Sequence, residues 1–161
     1  MPVLSILVVD DDIQYRRLLE RIISGAGHVV EQISKPTDLF DRYDQLAPDI
    51  IFLDIFMPDF DGIQVARWLV EKRFKGRLVF MTGHDTCFLR AARISVQQET
   101  EADVVTLEKP ARVEQILDLI SDQGTSSGIK TRKGSLIAYH NDKDSIYSKF
   151  PTRVRNLPRL M

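Results

Sequence analysis

The sequence has little of what marks secreted, membrane-spanning or low-complexity chains. Its 161 residues include one cysteine, Cys87, which cannot form a disulfide within the chain, and no apolar run approaches the ~20 residues that span a bilayer. The amino end, residues 1–12, is short and acidic and is unlike a secretory signal. Eight glycines, seven prolines and a charged fraction of 28% exclude collagen-like and low-complexity composition. We therefore expect a globular, cytoplasmic protein without membrane insertion.

Charge is divided unevenly along the chain, although the net charge is only −1. Residues 1–123 carry 14 basic and 21 acidic side chains, whereas residues 124–161 carry 8 basic and 2 acidic ones. The length fits one domain of about 150 residues. We therefore expect a folded acidic body over 1–123 and a basic carboxyl-terminal extension over 124–161. An acidic body binds phosphate groups poorly unless it also holds a cation.

The basic extension leaves three interpretations open. Residues 124–128 are typical of a linker, and residues 135–140 and 145–150 are apolar enough for two short strands around a turn. The extension is then an unstructured tail, or a hairpin that packs on the body or on a second copy of the chain. Nucleic-acid binding is the least favoured interpretation, because the sequence has no helix-turn-helix pattern and charge alone is weak evidence.

Apolar residues in the body alternate between two spacings. Short, nearly continuous apolar runs predict strands that are buried on both faces, and runs with helical spacing follow each of them. In the first predicted helix Leu18, Leu19, Ile22 and Ile23 share a stripe, and in the last one Val113, Ile116, Leu117 and Ile120 face inward. The predicted strands are 3–9, 29–33, 50–53, 78–81 and 104–107, and the predicted helices are 13–25, 37–46, 63–72, 86–98 and 112–122.

Five strand-helix units with short connections predict a doubly wound α/β fold. Crossovers between parallel strands are right-handed and need a helix, so the helices cover both faces of a five-stranded parallel sheet, a flavodoxin-like (βα)5 arrangement. In such sheets the ligand site lies beyond the carboxyl ends of the strands. The residues that follow each strand are therefore the first candidates for a functional site.

Polar side chains follow four of the predicted strands. Asp10, Asp11 and Asp12 follow the first strand, and Asp54, Thr82 and Lys109 follow the third, fourth and fifth. The doubly wound order brings these four strands side by side, so the side chains should converge. Clustered carboxylates repel one another unless one is protonated or a cation binds, and carboxylate oxygens suit Mg²⁺. We expect Asp12 to cap the first helix rather than to bind metal.

Such a pocket has the parts for phosphoryl transfer. An aspartate can act as a nucleophile and form an acyl phosphate when a metal ion and a lysine offset charge on the transferring oxygens. Asp54 would be that nucleophile, and Lys109 would pair with it and with a phosphoryl oxygen. The hydroxyl of Thr82 would donate a hydrogen bond to a second oxygen.

These residues resemble the receiver domain of two-component response regulators, such as the chemotaxis receivers. The resemblance covers about residues 3–122. It rests on four motifs in the expected order: LVVDD ending at Asp11, LDIFMPDFDG ending at Gly62, Thr82-Gly83 and Lys109-Pro110.

The resemblance implies a signalling function. Asp54 would accept a phosphoryl group from a sensor histidine kinase or a histidine phosphotransfer protein and later lose it to water. Asp11 and Asp54 would ligate Mg²⁺ directly, Asp10 would do so through water, and the carbonyl of Phe56 would complete the protein ligands. The chain would not be an enzyme with a separate substrate. It would act by binding an unidentified downstream protein when Asp54 is phosphorylated.

Two departures from the family pattern affect how the signal would leave the domain. Receivers carry an aromatic residue three positions before the lysine, and here that residue is Thr106. The segment 85–103 is also longer than usual, which predicts a longer fourth helix or loop. Two alternatives to a phosphorylation switch therefore stay open. The chain is a receiver-shaped interaction module that does not depend on switching, or it is part of a longer regulator whose effector begins near residue 125.

Overall fold

The computed structural model describes residues 2–58, 60–83 and 86–121. This part of the chain contains seven strands and five helices. The predicted hairpin of the extension lies outside the described residues, and the boundary at residue 123 stays a prediction. The strands are β1 (Ser5–Val9), β2 (Val29–Ile33), β3 (Ile50–Asp54), β4 (Phe56–Met57), β5 (Phe60–Asp61), β6 (Arg77–Thr82) and β7 (Asp103–Glu108), and the helices are α1 (Ile13–Gly25), α2 (Pro36–Leu46), α3 (Gly62–Glu71), α4 (Thr86–Gln97) and α5 (Val113–Ser121).

Five of the strands form one parallel sheet in the order β2-β1-β3-β6-β7. The helices lie on both faces: α1 and α5 cover one, and α2, α3 and α4 cover the other. Successive residues of β3 therefore point to opposite cores, so that Ile50 and Phe52 pack with α1 and α5 while Ile51 and Leu53 pack with the other three helices. The predicted doubly wound fold is confirmed.

The predicted strand ends differ from the observed ones because hydrogen bonding, not hydrophobicity, sets them. β1 begins at Ser5, where pairing with Val29 begins, and the apolar Val3 lies before that pair with 66% of its surface exposed. At the other ends, Asp54, Thr82 and Glu108 continue the ladder although they are polar. The strands of the central sheet therefore extend into the predicted site.

Two residues predicted to face inward are exposed. The buried stripe of α1 consists of Tyr15, Leu19 and Ile23, one every four residues, and Leu18 lies to one side of it and is exposed. Val113 is the first residue of α5 and is also exposed, because the buried contacts of that helix begin one turn later, at Ile116. The inward stripes were thus predicted in outline but with one wrong member each.

Side chains of α4 cover part of the outer edge of β7. The side-chain amide of Gln97 donates to the carbonyl of Ala102 at 2.9 Å, and its oxygen accepts from the N–H of Val104 at 2.9 Å. The guanidinium of Arg93 donates to the carbonyl of Val104 at 2.7 Å. Gln97 therefore bonds the chain on either side of the start of β7, with its donor to Ala102 and its acceptor to Val104, much as a neighbouring strand would.

Within residues 2–58, 60–83 and 86–121, no helix has both the length and the apolar character that crossing a bilayer demands.

Candidate functional site

Four predicted site residues meet at the carboxyl ends of neighbouring strands. Asp10 follows β1, Asp54 and Thr82 end β3 and β6, and Lys109 follows β7, and these four strands are adjacent in the sheet. Asp10 is 0% exposed, Asp54 6% and Thr82 2%, and these three are the buried polar residues of the described core. Burying a polar group costs free energy unless the group has hydrogen-bonding or charged partners. Buried polar clusters of this kind are typical of functional sites, so this one is the candidate site.

Lys109 joins the two buried carboxylates. Its Nζ lies 2.5 Å from Oδ2 of Asp10 and 2.7 Å from Oδ2 of Asp54. The backbone N–H of Lys109 donates to the carbonyl of Thr82 at 2.8 Å, which fixes the start of the lysine side chain beside β6. One ammonium group thus offsets part of the charge of two aspartates.

The second oxygen of each carboxylate is held by the backbone. Oδ1 of Asp10 accepts from the N–H of Asp12 at 2.9 Å, and Oδ1 of Asp54 accepts from the N–H of Phe56 at 3.0 Å. Each carboxylate therefore has one oxygen fixed by the main chain and one bonded to Lys109. Since both carboxylate planes are fixed, the Oδ2 atoms have a defined direction.

Burial and neighbouring charges have opposite effects on each pKa at the site, and the net result is a raised pKa for both Asp10 and Lys109. Burial raises the pKa of Asp10, and the hydrogen bond and charge of Lys109 do not fully offset this effect. Burial alone would lower the pKa of Lys109, but the hydrogen bonds and charges of Asp10 and Asp54 outweigh it and raise that pKa. The lysine therefore remains charged at neutral pH and is available to offset negative charge.

The acidic cluster fits a divalent cation. Asp10, Asp11 and Asp54 each offer one carboxylate oxygen, and these atoms lie within 4.8 Å of one another. Three carboxylates and one ammonium leave a net negative charge, and all the donors are hard oxygens, as Mg²⁺ prefers. Asp11 is exposed and open to water, which suits an ion that keeps part of its hydration shell. The residues present therefore fit a magnesium ion.

A cavity of about 420 Å³ opens beside the cluster. Its walls include the predicted residues Asp54, Phe56, Thr82 and Lys109, so the structure brings Phe56 to the same place. Tyr15 also lines this cavity, and the sequence interpretation did not include it among the site residues. Its place on the inward stripe of α1, three residues after Asp12, is the signal that would have indicated it.

The aspartates next to the cluster hold helix ends, as predicted for Asp12. Its carboxylate accepts from the N–H groups of Gln14 and Tyr15 at the start of α1. Asp61 caps α3 in the same way by accepting from the N–H of Ile63 at 2.8 Å. Both caps satisfy N–H groups that the helix leaves unpaired, and they fix the helices that border the site.

Gly62 lets α3 begin directly against the end of β3. A Cβ atom at this position would lie 2.4 Å from the carbonyl oxygen of Asp54 and 2.6 Å from Cα of Ile55. Both are backbone atoms, one at the end of β3 and one directly after it, so neither can move cheaply. The N–H of Gly62 also donates to the carbonyl of Ile55 at 2.9 Å.

We expect Gly62→Ala to destabilise the fold by about 2 kcal/mol, as overpacking does, and to displace Asp54. Gly76→Ala is the matched control: its Cβ would lie 2.2 Å from the carbonyl oxygen of Asp49, at the opposite end of the sheet. Urea unfolding should show losses in both variants, whereas Mg²⁺ binding by calorimetry should weaken only in the Gly62 variant. Equal Mg²⁺ affinity in the two variants would contradict this prediction.

Thr106 occupies a half-buried position on β7, paired with Phe80 of β6. The departure from the receiver pattern at Thr106 therefore lies within the sheet, three residues before Lys109. A threonine here has no aromatic ring that could move between a buried and an exposed position.

Comparison with known proteins agrees with the geometry. A model of the family described as response regulator receiver domain matches residues 6–121. The positive alginate biosynthesis regulatory protein of Pseudomonas aeruginosa is 32% identical over 120 residues, which cover 73% of this chain and 46% of that protein. The response regulator MprA of Mycobacterium sp. strain KMS is 32% identical over 117 residues, which cover 73% of this chain and 48% of that protein.

Solved structures agree as well. The signal receiver domain of a response regulator from Bermanella marisrubri has 31% identity and a TM-score of 0.62, with 73% of this chain and 95% of that chain covered. The chemotaxis protein CheY4 of Vibrio cholerae, with 19% identity, a TM-score of 0.66 and coverage of 76% and 99%, shows the same fold. The chain spans between 24% and 48% of the length of the first curated relatives it matches.

Proposed function

Because the chain belongs to the receiver domains of two-component response regulators, we propose that Asp54 accepts a phosphoryl group and that the protein signals by binding a partner when it is phosphorylated. The donor is a phosphohistidine on a sensor histidine kinase or a histidine phosphotransfer protein. A carboxylate oxygen of Asp54 forms a bond to phosphorus, the phosphorus–nitrogen bond breaks, and the imidazole leaves with the electron pair. Hydrolysis of the acyl phosphate later restores Asp54.

One observation carries this proposal. Asp54 is buried at the end of a central strand, its Oδ1 is held by the N–H of Phe56 and its Oδ2 by Lys109 Nζ, and it faces the cavity. A nucleophile held in this way needs little reorganisation. The ammonium of Lys109 can follow the phosphoryl oxygens as charge develops on them, and the buried Thr82 stands on the adjacent strand to donate to a second oxygen.

The proposal includes a magnesium ion. Asp11 and Asp54 would hold it directly, Asp10 would hold it through a water molecule, and the carbonyl of Phe56 would complete the protein ligands. When bound, Mg²⁺ supplies positive charge between the carboxylates and the phosphoryl oxygens. The chemistry of the chain is then limited to gain and loss of its own phosphoryl group, and it turns over no separate substrate.

The test is the intact mass of the protein after incubation with acetyl phosphate. With Mg²⁺ we expect the mass of one added phosphoryl group, and with a chelator we expect none. Acetyl phosphate replaces the protein donor, because it breaks a phosphorus–oxygen bond and releases acetate. Absence of labelling with Mg²⁺, under conditions in which another receiver domain is labelled, would overturn the proposal.

Thr106 favours a second candidate, a receiver-shaped interaction module that does not depend on switching. Without an aromatic ring at this position, the residue itself cannot carry a change from Asp54 to the surface of α4 and β7. Hydrogen exchange on the labelled and unlabelled protein distinguishes the two. A phosphorylation switch changes the protection of amides in α4 or β7, whereas the second candidate predicts labelling with unchanged protection.

A further inference from the structure

Tyr15 lies against Lys109 although the mechanism above gives it no function. The residue is 8% exposed, and Nζ of Lys109 lies over its ring, 4.6 Å from the ring centroid. A cation above the face of an aromatic ring is attracted by the negative charge of that face. The ammonium is therefore bounded by two carboxylates and by one aromatic ring.

The three neighbours hold the ammonium in different ways. Hydrogen bonds to Asp10 and Asp54 depend on direction and are lost when Nζ moves, whereas attraction to a ring face changes little as the cation slides over it. In the proposed transfer Lys109 must leave Oδ2 of Asp54 and move to a phosphoryl oxygen. The ring is the neighbour that can hold the ammonium during this movement.

The ring itself is fixed in place. The N–H of Tyr15 donates to the carboxylate of Asp12 at 3.3 Å, so the helix cap beside Asp10 and Asp11 sets the position of the residue. Its side chain packs in the buried stripe of α1 with Leu19 and Ile23. The position of the ring is therefore set by the same short segment that supplies the acidic cluster.

The hydroxyl of Tyr15 is buried at the far end of the ring, beside the backbone of Ala111. Its effect can be separated from that of the ring, because phenylalanine keeps the ring and removes the hydroxyl. The contact of this side chain that bears on the proposed reaction is the one between its ring and Lys109.

We propose that Tyr15 is a positioning residue for phosphoryl transfer, whose ring keeps the Lys109 ammonium at the site while it moves between the carboxylates and the phosphoryl group. The proposal rests on the function proposed above for Asp54 and Lys109. It assigns the effect to the ring face and not to the hydroxyl.

The test compares Tyr15→Phe, which keeps the ring, with Tyr15→Leu and Tyr15→Met, which remove it. The readout is the initial rate of labelling by acetyl phosphate with saturating Mg²⁺, over a range of acetyl phosphate concentrations. We expect the Phe variant to stay within about twofold of the unmodified protein, and the Leu and Met variants to lose about tenfold in maximal rate, the range of a partly buried cation–π contact. Ile23→Ala, on the same buried stripe but away from Lys109, controls for loss of stability and should label at the unmodified rate.

A double variant separates positioning from packing. In a Lys109→Met background, removing the ring should change the labelling rate no further, because the ring acts through the ammonium. Unfolding of the metal-free proteins gives a second readout, in which the losses from Tyr15→Leu and Lys109→Met should add to more than the loss of the double variant. If the Leu variant does not fold, the Met variant carries both measurements.

Three results would overturn the proposal. The Phe variant could lose as much rate as the Leu and Met variants, the Leu and Met variants could label at the unmodified rate, or the loss could persist in full without Lys109. Failure of the unmodified protein to label would instead refute the function proposed for Asp54. The unfolding measurements would then still test the contact between the ring and the ammonium.

Discussion

Replacing Asp54 by Asn is expected to abolish phosphoryl incorporation from acetyl phosphate. The amide has nearly the same shape, and its oxygen can still accept from the N–H of Phe56, which now bonds Oδ1 of Asp54 at 3.0 Å. It lacks the anionic oxygen that forms the bond to phosphorus, so no acyl phosphate forms. The measurement is intact mass, taken over a time in which the unmodified protein reaches its plateau.

Asp49→Asn is the matched control for Asp54→Asn. Asp49 is exposed at the opposite end of the sheet, where it accepts from the N–H of Ser5 at 2.8 Å, and an amide can accept there too. This variant loses one negative charge and should label like the unmodified protein. Labelling of the Asp54 variant at the same rate would move the acceptor to another residue, and peptide mapping would identify it.

Removing Lys109 is expected to lower the free energy of unfolding substantially. Lys109→Met leaves Asp10 and Asp54 buried without the ammonium that now bonds both of them. Breaking such a pair by removing one partner costs about 3 kcal/mol or more at neutral pH, because a buried charge is left uncompensated. Urea unfolding without divalent cations measures this loss.

The effect of Lys109→Met should depend on pH and on magnesium. Burial already raises the pKa of Asp10 above its usual value of 3.8, and loss of the lysine raises it further. In the window between the unfolded and folded pKa values the folded state binds more protons, so the variant loses stability as pH rises through that window. The difference in unfolding free energy between the unmodified protein and the Lys109→Met variant should therefore become smaller at acidic pH.

Added Mg²⁺ should raise the melting temperature of the Lys109 variant more than that of the unmodified protein, because a cation replaces the missing charge. Lys75→Met is the control for this variant. Lys75 pairs with Glu101 at an exposed place away from the site, so its removal should change stability little and give no extra response to Mg²⁺. A Lys109 variant as stable as the unmodified protein, without divalent cations at neutral pH, would contradict the assigned charge balance.

The convergence of four polar side chains could be predicted from the sequence, because each of them has a local signature. Asp10, Asp54, Thr82 and Lys109 each stand where an apolar run stops, and parallel order brings such positions to one edge. No knowledge of side-chain contacts was needed to expect them together. Which oxygen pairs with Lys109 and which with the main chain depends on the positions of several strands, so the structure was needed for that.

Other features lacked a local signature. β4 and β5 have two residues each, too few to produce a period, and they form where the chain turns back so that Gly62 can bond Ile55. The contact of Tyr15 with Lys109 joins α1 to the end of β7, positions far apart in the chain. The predicted stripe of the first helix did not include Tyr15, and hydropathy cannot indicate that a charged group lies beside it.

The bonds from Arg93 and Gln97 to β7 also protect the protein from a risk common to sheets. An edge strand with unpaired N–H and C=O groups is a template for another extended chain, and edge-to-edge pairing of this kind leads to aggregation. Here the N–H and C=O of Val104 are both used by α4. A state in which α4 moves away would free the N–H and C=O of Val104, so release of the helix would also expose this part of the edge to another extended chain.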